Sequence, residues 1–115
     1  MIVSHEEKSM ANIIDSPAVR NAAMKVLIGE KEGWGDHVMR IIELGPQGYS
    51  PKHDHPWPHI NYMLEGKGVL EIEGREHAVE AGSYAYVPAG KEHQFRNAGS
   101  GDFRFICIVP KDGHQ

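Results

Sequence analysis

From Lys25 onward, apolar and polar residues alternate in short runs, and a turn signal closes almost every run. The first are Lys25–Ile28, Val38–Leu44, His59–Leu64 and Val69–Glu73; the last three end at Gly45-Pro46-Gln47-Gly48, Glu65-Gly66-Lys67-Gly68 and Gly74. Next come His77–Glu80, Tyr84–Val87, Gln94–Arg96 and Phe103–Val109, ending at Ala81-Gly82, Pro88-Ala89-Gly90, Asn97-Ala98-Gly99-Ser100-Gly101 and Pro110. Short β-type runs at this spacing, with almost no helical periodicity, predict an all-β sandwich or barrel. Closure, or two packed sheets, would also dispose of the edges such strands expose. Pattern alone leaves jelly roll, lipocalin-like barrel and immunoglobulin-like sandwich open. Residues 1–23 lack the pattern. They read as an N-terminal segment of the same domain, with one short helical or extended piece around Ala18–Met24, ahead of a barrel over 24–115.

Composition adds bounds rather than detail. With 115 residues the chain has room for one domain. A net charge of −4 with scattered Lys and Arg gives no reason to expect nucleic acid or an anionic membrane as partner. No stretch approaches the ~18 apolar residues that span a bilayer. The N-terminus, MIVSHEEKSM, has no apolar core of a secretion signal, and the single Cys107 cannot form an internal disulfide. A cytoplasmic location is expected. Thirteen glycines and seven prolines suit many tight turns.

The eight histidines change the picture, because three fall within seven residues as His53-x-His55-x3-His59. On an extended strand, residues two apart share a face, so His53 and His55 can reach one point. Pro56-Trp57-Pro58 forces a turn, and His59 then returns beside the pair. His93 follows after Pro88-Ala89-Gly90. Neutral nitrogen donors from adjacent strands suit a divalent transition metal. A structural zinc site is the sharpest rival, but cysteine dominates such sites and none is near. His5, His37, His77 and His114 read as surface or core residues.

These residues also resemble a known family. His53-x-His55-x3-His59-x6-Gly66 is similar to the first cupin motif, and Tyr62-Met63-Leu64-Glu65-Gly66 to that motif's strand end. Gly82-x5-Pro88-x-Gly90-x2-His93-x3-Asn97 matches the second motif at every position. There are two departures: Gly48 lies one residue nearer His53 than usual, and His59 stands at the usual glutamate. The four-histidine version resembles the small manganese-binding cupins of thermophilic bacteria. That similarity extends through Lys25-Val26-Leu27-Ile28-Gly29, Val38-Met39-Arg40, His55-Pro56-Trp57 and Ile108-Val109-Pro110-Lys111. The resemblance implies a jelly-roll β-barrel, a homodimer, and a metal held by His53, His55, His59 and His93. One divalent ion per chain is expected, manganese or iron first, with zinc, nickel or copper as alternatives.

Four neutral imidazoles leave the ion its full charge, and six-coordination leaves positions for water or a chelating oxygen ligand. Strand parity nominates pocket residues: Phe95 with His93, Met63 with His59, and Phe105 and Cys107 on the last strand. Arg40 interrupts an apolar strand; it would either clamp a substrate carboxylate or pair on the surface with Glu43 or Glu71. Cys107 on an inward face could approach the metal, but it reads first as a small buried hydrophobe. Trp57 would lid the pocket or pack at its turn, and Asn97 would bond within a turn. No general base is evident among the inward positions. The first expectation is a metal-dependent dioxygenase or related oxidoreductase acting on a small anionic or phenolic molecule. A ligand-binding module and a metal-dependent isomerase or lyase are the alternatives.

Overall fold

The computed structural model describes residues 1–114. Its strands are β1 (Asn12–Ile13), β2 (Arg20–Ile28), β3 (His37–Tyr49), β4 (His59–Glu65), β5 (Lys67–Ile72), β6 (Arg75–Glu80), β7 (Tyr84–Val87), β8 (His93–Asn97) and β9 (Phe103–Pro110). Three single 3₁₀ turns, at Glu6–Lys8, Glu30–Glu32 and Lys111–Gly113, are the helical pieces among the described residues. All strand pairings are antiparallel. Hydrogen bonding runs β6-β5-β8-β3-β9-β4-β7, with β2 also on β3 and β1 on β2. β3 meets β8 at a single pair, Tyr49 with Arg96, so the path divides there into a larger and a smaller sheet. The result is an all-β jelly-roll barrel.

The core lies between these sheets. β9 alternates strictly: Phe103, Phe105, Cys107 and Val109 are buried, while Arg104, Ile106 and Ile108 are half-buried on the other face. Phe95 of the smaller sheet stacks on Phe105 of the larger at 4.2 Å between ring centres. Met63 and Leu44 are fully buried beside them.

Two departures from the expected elements bear on the site. β2 begins at Arg20, five residues before the predicted run, so the piece expected around Ala18–Met24 is strand from Arg20 onward, after a turn at Pro17–Ala18. β3 does not end at Leu44. The β2–β3 register passes from Ala22–Leu44 to Arg20–Tyr49, so Gly45-Pro46-Gln47-Gly48 is an insertion within the strand, not its end. Asn21 Nδ2 donates to the Pro46 carbonyl at 3.2 Å across it. A Cβ at Gly48 would lie 2.8 Å from the Gly45 carbonyl oxygen, so a glycine lets the backbones close. The insertion delivers Ser50 to β8, where its N–H donates to the Phe95 carbonyl and its hydroxyl accepts from the Phe95 N–H, both at 2.9 Å.

Candidate metal centre

His53 and His55 do not stand on a regular strand, as their spacing suggested. They sit on an extended segment pinned to β8: His53 and His93 exchange backbone hydrogen bonds of 3.1 and 2.9 Å, and Gly90 N–H donates to the His55 carbonyl at 2.8 Å. Pro56-Trp57-Pro58 then turns the chain so that His59 opens β4, opposite Val87 of β7. Four imidazoles converge. Ring centres are 5.1 Å apart for His53–His55, 5.0 Å for both His53–His93 and His55–His93, 4.7 Å for His59–His93 and 5.4 Å for His55–His59. One donor atom from each of His53, His55 and His93 lies within 4.8 Å of the others. His59 joins through its Nε2, 3.0 Å from that of His93.

Three of these rings have their outer nitrogen committed. His55 Nδ1 faces the Trp57 carbonyl at 2.7 Å, His93 Nδ1 the Lys91 carbonyl at 2.9 Å, and His59 Nδ1 the Asn61 Oδ1 at 2.6 Å. A carbonyl oxygen only accepts, so each Nδ1 carries the proton and each Nε2 turns a lone pair inward. Burial reinforces the neutral form. It pushes His59 down to about 3, with neighbouring His93 and His55 and the more distant Arg40 charge adding to it against the Asn61 bond. Burial likewise lowers His93 and His53, the latter also through His93 and His55.

The donor set fits an ion. Two neutral Nε2 atoms at 3.0 Å, both with lone pairs, repel each other unless a cation lies between them. Two nitrogen ligands at right angles, each about 2.1 Å from one ion, would be separated by about 3.0 Å. Thus His53, His55 and His93, joined by His59, could hold one divalent transition metal, whose identity the nitrogens alone do not select.

The rings open onto a cavity of about 470 Å³. Arg40, Phe95, Phe105 and Cys107 line it, with Trp57, Asp54 and apolar residues of the first two strands and their approach, among them Ile14, Val19 and Met24. Met63 does not: it is fully buried in the core and no part of the cavity wall. Arg40 makes neither of the surface pairs proposed for it, because Glu43 binds Arg104 and Glu71 binds Lys52 and Arg96. Instead its Nη2 lies 3.7 Å from the Cys107 sulfur and its Nη1 3.2 Å from His114 Nδ1. His114, expected as a surface or core residue, therefore touches a side chain of this wall, next to Gly113, which lines it. Trp57 stacks on His55 at 4.8 Å and 11°, so it both lines the cavity and braces a ring. Asn97 bonds locally as expected, donating to Gly101 and accepting from Gly99, but its amide also ties β8 to Leu44 and Gly45. Asn61 went unnoticed in the sequence. Its signal was there: a polar residue two positions after His59, on the inward face of an otherwise apolar strand.

The cupin-domain family model matches residues 40–109. The dimethylsulfoniopropionate lyase DddW of Ruegeria pomeroyi is 38% identical over 58 residues, 50% of this chain and 38% of the lyase, so the chain spans well under half that relative's length. The oxalate-binding protein of Thermotoga maritima is 24% identical over 104 residues, 90% of this chain and 75% of that protein. The structure of the polyketide cyclase RemF from Streptomyces resistomycificus superposes with a TM-score of 0.89 at 29% identity, covering 96% of this chain and 79% of that one. With the barrel, the histidine cluster and a family match over more than half its length, the chain belongs to the cupin family.

Proposed function

We propose that the barrel binds one divalent transition metal on His53, His55, His59 and His93 and acts on a small anionic or enolisable molecule bound beside it. The observation that carries this reading is the pair of facing Nε2 atoms of His59 and His93, 3.0 Å apart, each with its Nδ1 proton already donated outward. When bound, the ion supplies Lewis acidity and open positions for oxygen ligands. The chain's own residues shape the rest. Phe95, Phe105 and the aliphatic wall exclude water, and Trp57 covers one ring. Manganese or iron remains the first expectation.

The similar proteins bear the names of a lyase, a polyketide cyclase and an oxalate-binding protein. A lyase and a cyclase need no oxidant, so those names support a non-redox metal enzyme as a second reading beside the oxidative chemistry expected first from sequence. Elemental analysis of untagged protein grown with manganese and iron is the test. One manganese or iron per chain, lost in His55→Ala and His93→Ala variants that keep the wild-type far-ultraviolet spectrum, supports the site. Oxygen uptake with small acids, diketones or phenols would then select the oxygenase, and turnover without uptake the second reading. Absence of any bound metal, on purification and on titration, overturns both.

A further inference from the structure

We infer that Arg40 anchors a substrate carboxylate, so that the molecule this site accepts carries a carboxylate at one end and a metal-binding oxygen at the other; this rests on the metal site proposed above. β3 buries Val38, Ile42 and Leu44, and Arg40 shares their inward parity. Strand register sets it beside Cys107 and, across β9, Asn61, one row from His59. A guanidinium keeps its charge at any relevant pH, and enclosing that charge without an anion is unfavourable. Yet among the described residues Arg40 Nη2 meets only the Cys107 sulfur at 3.7 Å, Nη1 meets the His114 ring nitrogen at 3.2 Å, and the buried Nε has no partner. A thiol and an imidazole nitrogen do not balance the charge.

The other half-buried arginines show the contrast. Arg104 holds Glu6, Glu43 and Glu65, and Arg96 holds Glu71 and Glu76. Arg40 alone of the three has no carboxylate partner among the described residues, and it alone faces the cavity of about 470 Å³. A planar guanidinium matches a carboxylate through two parallel hydrogen bonds, a geometry a lysine does not reproduce. Phenols lacking a carboxylate would engage the metal but not this arm.

Calorimetric titration of the metal-loaded protein with malonate, succinate, glutarate and catechol tests the assignment in wild type, Arg40→Met and Arg40→Lys. At least one dicarboxylate should bind wild type and lose about 10- to 100-fold in affinity in Arg40→Met. Arg40→Lys should recover part of that loss, and catechol should bind all three alike. The assignment is overturned if no dicarboxylate binds wild type, if Arg40→Met leaves their affinity unchanged, or if catechol falls in parallel. Metal content of Arg40→Met separates the two proposals, because Arg40 is not a ligand and one ion per chain should remain. Should wild type take up no metal, the metal site fails, and propionate titrated into the metal-free protein still decides Arg40: binding that Arg40→Met abolishes supports the anchor, and no difference overturns it.

Discussion

Asn61 is fully buried on β4, two residues beyond His59, and its Oδ1 accepts that ring's proton at 2.6 Å while its Nδ2 donates to the Ile106 carbonyl at 3.3 Å. The second bond fixes the amide's orientation and, through it, the nitrogen His59 turns inward. Removing such an outer partner weakens metal binding by about 10- to 100-fold. Asn61→Leu should therefore lose affinity on that scale in a chelator competition, with the fold intact, whereas Asn61→Asp, which keeps an acceptor, should retain most of it. Equal affinity in Asn61→Leu would mean that His59 needs no outer partner. At this scale the sequence disclosed residue types and spacing. The four histidines were visible as a motif, but Asn61 and His114 were not, because their significance lies in what they touch. Met63 shows the opposite failure: it shares a strand face with His59, yet along that face the cavity gives way to core.

Among the elements, β7 begins and ends where its pattern placed it, and β9 alternates as its pattern required, because one face of each meets the core and the other does not. β2 was harder to read. Its register shifts between Arg20 and Ala22 and again between Val26 and Ile28, so burial along it does not alternate cleanly and its first residues are exposed. The end of β3 is not legible in the sequence, because Gly-Pro-Gln-Gly marks a tight bend equally well inside a strand and after one. β5 carries a constraint that its sequence does not announce. A Cβ at Gly68 would lie 2.4 Å from the ring of Phe103, which is fully buried and has nowhere to go. Gly68→Ala should destabilise the barrel by about 1–3 kcal/mol through overpacking, measured by urea unfolding. An unchanged midpoint would show that the β5–β9 contact is loose.

Across the whole molecule, the histidine cluster makes stability depend on pH. Unfolded, these imidazoles take up protons near the ordinary 6.5; folded, burial holds His59 down to about 3 and lowers His53 and His93 as well. Below 6.5 the unfolded chain therefore binds more protons than the metal-free fold. The contribution is fully present above about 6.5 and is lost as pH falls from there toward 3. Metal binding follows the same direction, since protons compete for Nε2. The urea midpoint of the metal-free protein should drop between pH 7 and pH 5. Glu71, held below the ordinary 4.5 by its bonds to Lys52 and Arg96, acts only at lower pH and does not confuse the comparison. A midpoint constant from pH 7 to 5 would rule out neutral buried histidines.

The order of short alternating runs determined an all-β fold, because alternation leaves a strand one apolar face that only another sheet or a closed barrel can cover. Residue type and spacing also determined that His53, His55 and His59 would lie close together, since the turn at Pro56-Trp57-Pro58 is local to the chain. What only the tertiary structure decided is how those donors are used. His53 lies about forty residues from its backbone partner His93 along the chain, and Arg40 is set beside Cys107 by the β3–β9 register. Which nitrogen points inward, which residues wall the cavity and which charge stands unbalanced all depend on such pairings. They bring together groups far apart in sequence, and no local pattern encodes a contact whose two halves lie on different strands.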